Sequence, residues 1–347
     1  MIESLLTPWV CERYRTDPKY REGHRRILAP KPGTVVLGLH TPEMKKVAKQ
    51  LARRPDWRNI LDGFAAAEKE MAAVSEAAPG KKAPEKESWG TPRHLSHDER
   101  MVWGLMLDAV QCPLEERLRR IDAFIPAIDN WAICDNFCCN AKWLTKLTRK
   151  ASGRSNATKS KSLSAGSSHF SRTESGLLPE TAGPVRLSMI SGSLPGSESM
   201  TGEKETVWRW MEGHFKAEDE FERRVPVVLA MCHFLEPEDF DRTLDRIGSL
   251  GLREGEPYYV RMAVAWLLAT ALAKNPDRTR AFVNKAVPRA QTAHAASAPV
   301  PTGHVGAPTA LSGAADARPA PSLPDDIIRL YIRKARESRI THNLSAL

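Results

Sequence analysis

The chain has 347 residues, 41% of them hydrophobic, and a formal net charge of +9 with a pI near 9.3. That length suits two average domains or one extended repeat array, and the basic balance suits a polyanionic partner. No apolar run approaches the roughly 20 residues that span a bilayer. The first residues lack a secretory layout, and six cysteines are too few for a disulfide scaffold. A cytoplasmic protein without membrane contact is therefore expected.

Residues 1–74 read as helices. Thr41-Pro42-Glu43 offers a capping hydroxyl, a proline in the first turn and an acid facing the helix dipole, and Met44, Val47, Ala48 and Leu51 follow at helical spacing. Residues 75–92 mix Ala, Pro, Gly and Lys and suggest a loop. Ser96 and Glu99 fit a capping box ahead of an apolar stripe through Val102, Trp103, Leu105 and Met106. A third helix is expected over 114–123 and a fourth from near Asn130 to Leu147.

Composition then changes. Residues 149–205 are dense in Ser, Gly and Thr, and residues 287–323 in Ala, Pro, Thr and Gly. Neither tract offers the apolar surface that offsets ordering entropy, so both are expected to be disordered insertions. Between and after them, helices are expected over 206–215, 218–234, 237–250, 258–274 and 277–286, and from Leu323-Pro324-Asp325-Asp326 to Arg339. Strand alternation is absent. About a dozen short helices in antiparallel pairs predict an all-α helical solenoid, one domain over 1–342 carrying the two insertions.

Trp131 and Asp135 stand four apart, so on a helix an indole and a carboxylate share one face. On a basic protein that pair suits the stabilisation of a cationic sugar or base, although such pairs also arise on ordinary amphipathic helices. Trp57, Trp103 and Trp143 suit packing. Trp266 lies in a very apolar helix, where a core role is the plain reading. Cys134, Cys138 and Cys139 lack metal-ligand spacing and suggest small buried thiols. The ten histidines form no His-Glu-x-x-His pattern, and neither a phosphate-binding Gly loop nor a Gly-x-Ser-x-Gly elbow is present.

Six collinear segments together resemble the AlkD-like DNA alkylation repair enzymes, the alkylpurine DNA glycosylases built of HEAT-like repeats. They are 38–49 (Gly-Leu-His-Thr-Pro-Glu-Met-Lys-Lys-Val-Ala-Lys), 97–105, 124–135 (Phe-Ile-Pro-Ala-Ile-Asp-Asn-Trp-Ala-Ile-Cys-Asp), 221–228 (Phe-Glu-Arg-Arg-Val-Pro-Val-Val), 258–266 (Tyr-Tyr-Val-Arg-Met-Ala-Val-Ala-Trp) and 332–339. The resemblance implies a C-shaped superhelix whose basic concave side holds duplex DNA carrying alkylated bases. It implies that Asp135, Trp131 and Trp266 serve catalysis and that Arg224, with Arg223 as the competing alignment, faces DNA. Arg261 and Lys142 are the further expected DNA contacts. It also implies a monofunctional glycosylase acting as a monomer without cofactor or metal. The alternative is a non-catalytic HEAT-like scaffold that binds DNA or another partner. The tract at 149–205 is longer than the family's loop there, and Pro226 follows Arg224 by two residues, where it can kink a helix.

Overall fold

The computed structural model describes residues 3–77, 95–151, 197–286 and 322–345. Among these the regular secondary structure is all helix, with no strand. The elements are α1 (Glu3–Leu6), α2 (Glu12–Thr16), α3 (Pro18–Leu28), α4 (Thr41–Leu51), α5 (Trp57–Ala77), α6 (His97–Ala109), α7 (Leu114–Phe124), α8 (Trp131–Cys139), α9 (Lys142–Ala151), α10 (Ser197–His214), α11 (Glu220–His233), α12 (Phe240–Gly248), α13 (Tyr258–Lys274), α14 (Pro276–Ala286) and α15 (Asp325–Glu337). Short 3-10 turns at Thr7–Trp9 and Ile125–Ala127 complete the set. None of the described helices is long and apolar enough to cross a membrane.

Packing follows a simple order. Helices α4, α6, α8, α11, α13 and α15 touch in succession and form one continuous row. The alternate helices cover it from outside, with α7 against both α5 and α10, α9 against α10, and α12 against α14. Such nearest-neighbour stacking is the solenoid expected from the sequence. An aromatic ladder ties the first half of the row to its cover. Phe64 stacks on Trp103 at 5.6 Å, and Phe124 meets both Trp103 and Phe137 edge-on at 5.2 Å. Gly104 makes that ladder possible, because a Cβ there would stand 2.7 Å from the Phe124 ring.

Several local expectations hold. The capping box is formed, with Ser96 Oγ accepting from Glu99 N and Glu99 Oε2 accepting from Ser96 N. Helix α13 has the expected bounds, and α11 continues through Pro226, which sacrifices only the donor that would have met Glu222 O. Trp57 and Trp103 are buried.

Other expectations are corrected. His40, extended at φ −80° and ψ 150°, is the residue ahead of α4, so Thr41 begins the helix instead of capping it. The single helix expected from Asn130 to Leu147 is two, α8 and α9. Asn140 turns its amide back onto Asn136 O at 2.6 Å, and Asp108 on α6 accepts from Lys142 N at 2.6 Å, so a carboxylate on a neighbouring helix receives the new start. Helix α9 runs to Ala151 and α10 begins at Ser197, so both ends of the 149–205 tract are helical; its residues 152–196 lie outside the described residues. Leu323 is buried, and its N–H reaches Ala286 O at 3.1 Å, so the end of the second tract is packed. Residues 287–321 of that tract lie outside the described residues, as do 78–92 of the expected loop.

Candidate active site

The site is built on the middle of the row. Its first support is the start of α8. Asn130 is extended and buried, and its Oδ1 accepts from Ala132 N at 3.0 Å and from Ile133 N at 3.3 Å. The same amide's Nδ2 donates to Asp129 Oδ1 at 2.7 Å and to His97 Nδ1 at 3.0 Å. Asp129 accepts in turn from Arg100 Nη1 at 2.7 Å, and Arg100 Nη2 reaches Glu68 at 3.0 Å. This buried chain of polar groups spans α5, α6 and the turn before α8, and so fixes where Trp131 and Asp135 stand.

His97 must stay neutral to accept from Asn130. Burial does this, pushing its pKa down to about 4, and burial also brings His233 to about 4, where Nε2 donates to Cys138 O at 2.9 Å. In the unfolded chain both titrate near ~6.5. Between pH 6.5 and 4 the unfolded state therefore binds more protons, and stability falls as pH drops through that window. Two histidines shifted this far correspond to about 3 kcal/mol each. Asp98 acts oppositely: burial raises its pKa to about 6, so its contribution grows as pH falls. These three groups together contribute a loss of about 3 kcal/mol between pH 7 and pH 4. Thermal unfolding across that range checks it, with the slope reduced in His233→Gln.

The accessible surface of α8 is a stripe through Trp131, Asp135 and Cys139, with the half-buried Asn136 beside it. Trp131 and Asp135 are half-buried and Cys139 is exposed, each four residues from the last, while Ala132, Ile133, Cys134, Phe137 and Cys138 are buried. Trp131 is anchored by its indole Nε1, which donates to Ile27 O at 2.9 Å near the end of α3. Asp135 meets Arg224 of α11. Its Oδ1 accepts from Nε at 3.0 Å and from Nη2 at 2.8 Å, and Oδ2 accepts from Nη2 at 3.0 Å. Arg224 Nη1 donates to Tyr259 O, at the start of α13, at 2.6 Å. One guanidinium thus joins three successive helices of the row. Its side chain is 5% exposed and that of Asp135 15%.

Burial raises the Asp135 carboxyl above its ordinary range, and the charge and hydrogen bonds of Arg224 only partly offset it. Burial also opposes the charge on Arg224, but the Asp135 carboxylate more than compensates and raises its pKa.

Trp266 is half-buried rather than a core residue. Around α13 the half-buried positions Tyr259, Met262, Trp266, Thr270 and Ala273 fall on one stripe at helical spacing, and the central positions between them are buried. The remaining expected DNA contacts occupy varied settings. Arg223 Nη1 pairs with Glu256 at 2.8 Å, and Arg261 pairs with Asp326 at 3.0 Å and donates to Glu256 O. Lys142 is exposed, and Lys45 of α4 feels its charge.

Cys134 and Cys138 are the small buried thiols expected, but Cys139 is exposed at the end of α8. Among the described residues no group of three or more His, Cys, Asp or Glu side chains is arranged to hold a metal ion. Sequence reasoning passed over Asn130 and Tyr259 as parts of the site. Asn130 carried a signal, an Asn directly before the first residue of a helix. Tyr259 carried one too, standing two turns before Trp266 on the same face.

Residues 199–300 match the model of the DNA alkylation repair enzyme family. The match agrees with the AlkD-like resemblance and covers α10 to α14, with residues 287–300 outside the described residues. It contains Arg223, Arg224, Arg261 and Trp266. Trp131, Asp135 and Lys142 precede it, and the Asp135–Arg224 ion pair is one of the contacts that join α8 to the matched helices. Comparisons with curated proteins and with solved structures give no match.

Proposed function

We propose that the protein is a monofunctional DNA glycosylase that hydrolyses the N-glycosidic bond of cationic N3- or N7-alkylated purines in duplex DNA. The observation that carries this reading is the Asp135 carboxylate, half-buried beside Trp131 and oriented by a buried arginine from the adjacent helix. An alkylated purine already bears a positive charge and leaves without strong acid assistance. The demand falls on the sugar, where an oxocarbenium-like cation develops as the C1′–N bond breaks. A fixed carboxylate stabilises that charge more in the transition state than in the ground state.

Oδ1 is engaged twice by Arg224 and Oδ2 once, so Oδ2 keeps more lone-pair capacity for the sugar or the attacking water. The faces of Trp131 and Trp266 would each add on the order of 0.5–2 kcal/mol of attraction for the same cation. Arg224 acts here as a positioning residue that keeps Asp135 ionised and aimed. Phosphate contacts fall to exposed cations such as Lys142, and the reaction calls for no cofactor. The protein would act as a monomer in the cytoplasm.

A second reading has one observation in its favour: both oxygens of Asp135 already have a partner, as in a purely structural ion pair. On that reading the protein is a non-catalytic scaffold that binds DNA or another partner. Incubation with duplex DNA containing N7-methylguanine separates the two. Release of free N7-methylguanine without strand cleavage is expected, and binding of the duplex with the base left in place would favour the scaffold.

A further inference from the structure

The Asp135–Arg224 pair has a neighbour on the same two helices. Cys139 lies four residues after Asp135 on α8, and Cys232 lies eight residues after Arg224 on α11, each on the face of its ion-pair residue. Their Sγ atoms are 3.0 Å apart, although 93 positions separate them in the chain. Cys139 is exposed and Cys232 half-buried. The other two thiols nearby, Cys134 and Cys138, are fully buried, and Cys138 Sγ donates to Val225 O at 3.7 Å. A peroxide molecule in solvent can thus reach Cys139 first, and the sulfur within closest reach of Cys139 is Cys232.

We propose that Cys139 and Cys232 are a peroxide-reactive pair that forms a reversible disulfide stapling α8 to α11. In the first step Cys139 Sγ attacks one oxygen of hydrogen peroxide. The O–O bond breaks, Cys139 becomes a sulfenic acid and the second oxygen leaves as water. Cys232 Sγ then attacks the Cys139 sulfur, the S–OH bond breaks, and a second water leaves with the Cys232 proton. Two thiols are oxidised and one peroxide is reduced to two waters. Closing from 3.0 Å to a bond of about 2 Å needs a shift of about 1 Å, within reach of rotation at two side chains. The hydrogen bond to Cys139, followed by burial, holds the Cys232 thiol well above its ordinary range, so Cys232 does not itself meet peroxide and gives up its proton to the departing hydroxyl as it attacks the Cys139 sulfur.

This inference does not rest on the glycosylase reading, and its test needs no substrate. The reduced full-length protein is treated with hydrogen peroxide and examined by intact mass, by peptide mapping and by thermal unfolding. The expected result is loss of two hydrogen masses and a cross-linked peptide containing Cys139 and Cys232. A staple closing so long a loop should raise the unfolding midpoint by roughly 5–15 °C. Dithiothreitol should reverse all three changes. Cys139→Ser, at an exposed position that tolerates it, should abolish the cross-link and the rise. The proposal is overturned if both thiols stay free, if Cys139 stops at a sulfinic acid or pairs with another cysteine, or if the cross-link leaves the midpoint in place.

Discussion

Replacing Asp135 by Asn should slow release of N7-methylguanine by roughly 10²–10³-fold, the scale of losing one preorganised electrostatic stabiliser. The substitution preserves the shape of the side chain and removes only its charge. Asn keeps one oxygen to accept from Arg224 Nη2, so the link between α8 and α11 is weakened more than it is broken. Binding of undamaged duplex should hold or tighten, because a carboxylate repels nearby phosphates. Because the buried Arg224 loses its counter-charge, stability should fall as well. Single-turnover release per folded molecule, measured beside duplex affinity, is therefore what distinguishes this from a structural role, in which the folded variant releases the base at the wild-type rate. A folded Asp135→Asn protein that releases the base at the wild-type rate would sink the assignment.

Arg224→Gln should cost more in stability than any surface substitution. It leaves the Asp135 carboxylate partly buried and without its counter-charge, a situation that costs about 3–5 kcal/mol when a buried pair is broken from one side. The midpoint of thermal unfolding should drop by roughly 6–15 °C. Burial already raises the Asp135 carboxyl, and Arg224 is what opposes that shift, so without it the carboxyl rises further. Base release requires the ionised form, so the acid limb of the pH–rate profile should move to higher pH. The double variant Arg224→Gln with Asp135→Asn should recover much of the lost stability, because no unpaired charge remains. An unchanged acid limb in the single variant would show that Arg224 does not tune Asp135.

Much of the helical order was legible in the residues themselves. Helix α13 is apolar almost throughout and is bounded by Pro257 ahead and Asn275-Pro276 behind, so both ends are written locally. The capping box before α6 is equally local. The break between α8 and α9 was not legible, because helical periodicity runs on through Asn140, and it is Asp108 on α6 that receives the new start. The site divides in the same way. Trp131 and Asp135 share a helix face, and their spacing announces it. The role of Arg224 depends on a carboxylate 89 positions away, and nothing in Glu-Arg-Arg-Val tells a buried arginine from a solvated one. The exposed thiol of Cys139 was hidden for a similar reason. Its helix ends there, and where a helix ends decides which side chains are covered.

The row from α4 to α15 gives the molecule the character of a one-dimensional chain of interfaces. The coupling between neighbours is strong, but influence from further along must pass through each intervening contact. Fraying is then cheapest at the ends. Loss of α15 uncovers α13, the helix that bears Trp266, yet leaves the α8–α11 contact intact. The carboxylate thus sits in the most insulated part of the array and the second tryptophan nearer its looser end. A ligand that bridges both would tighten the array by joining links that otherwise fluctuate independently.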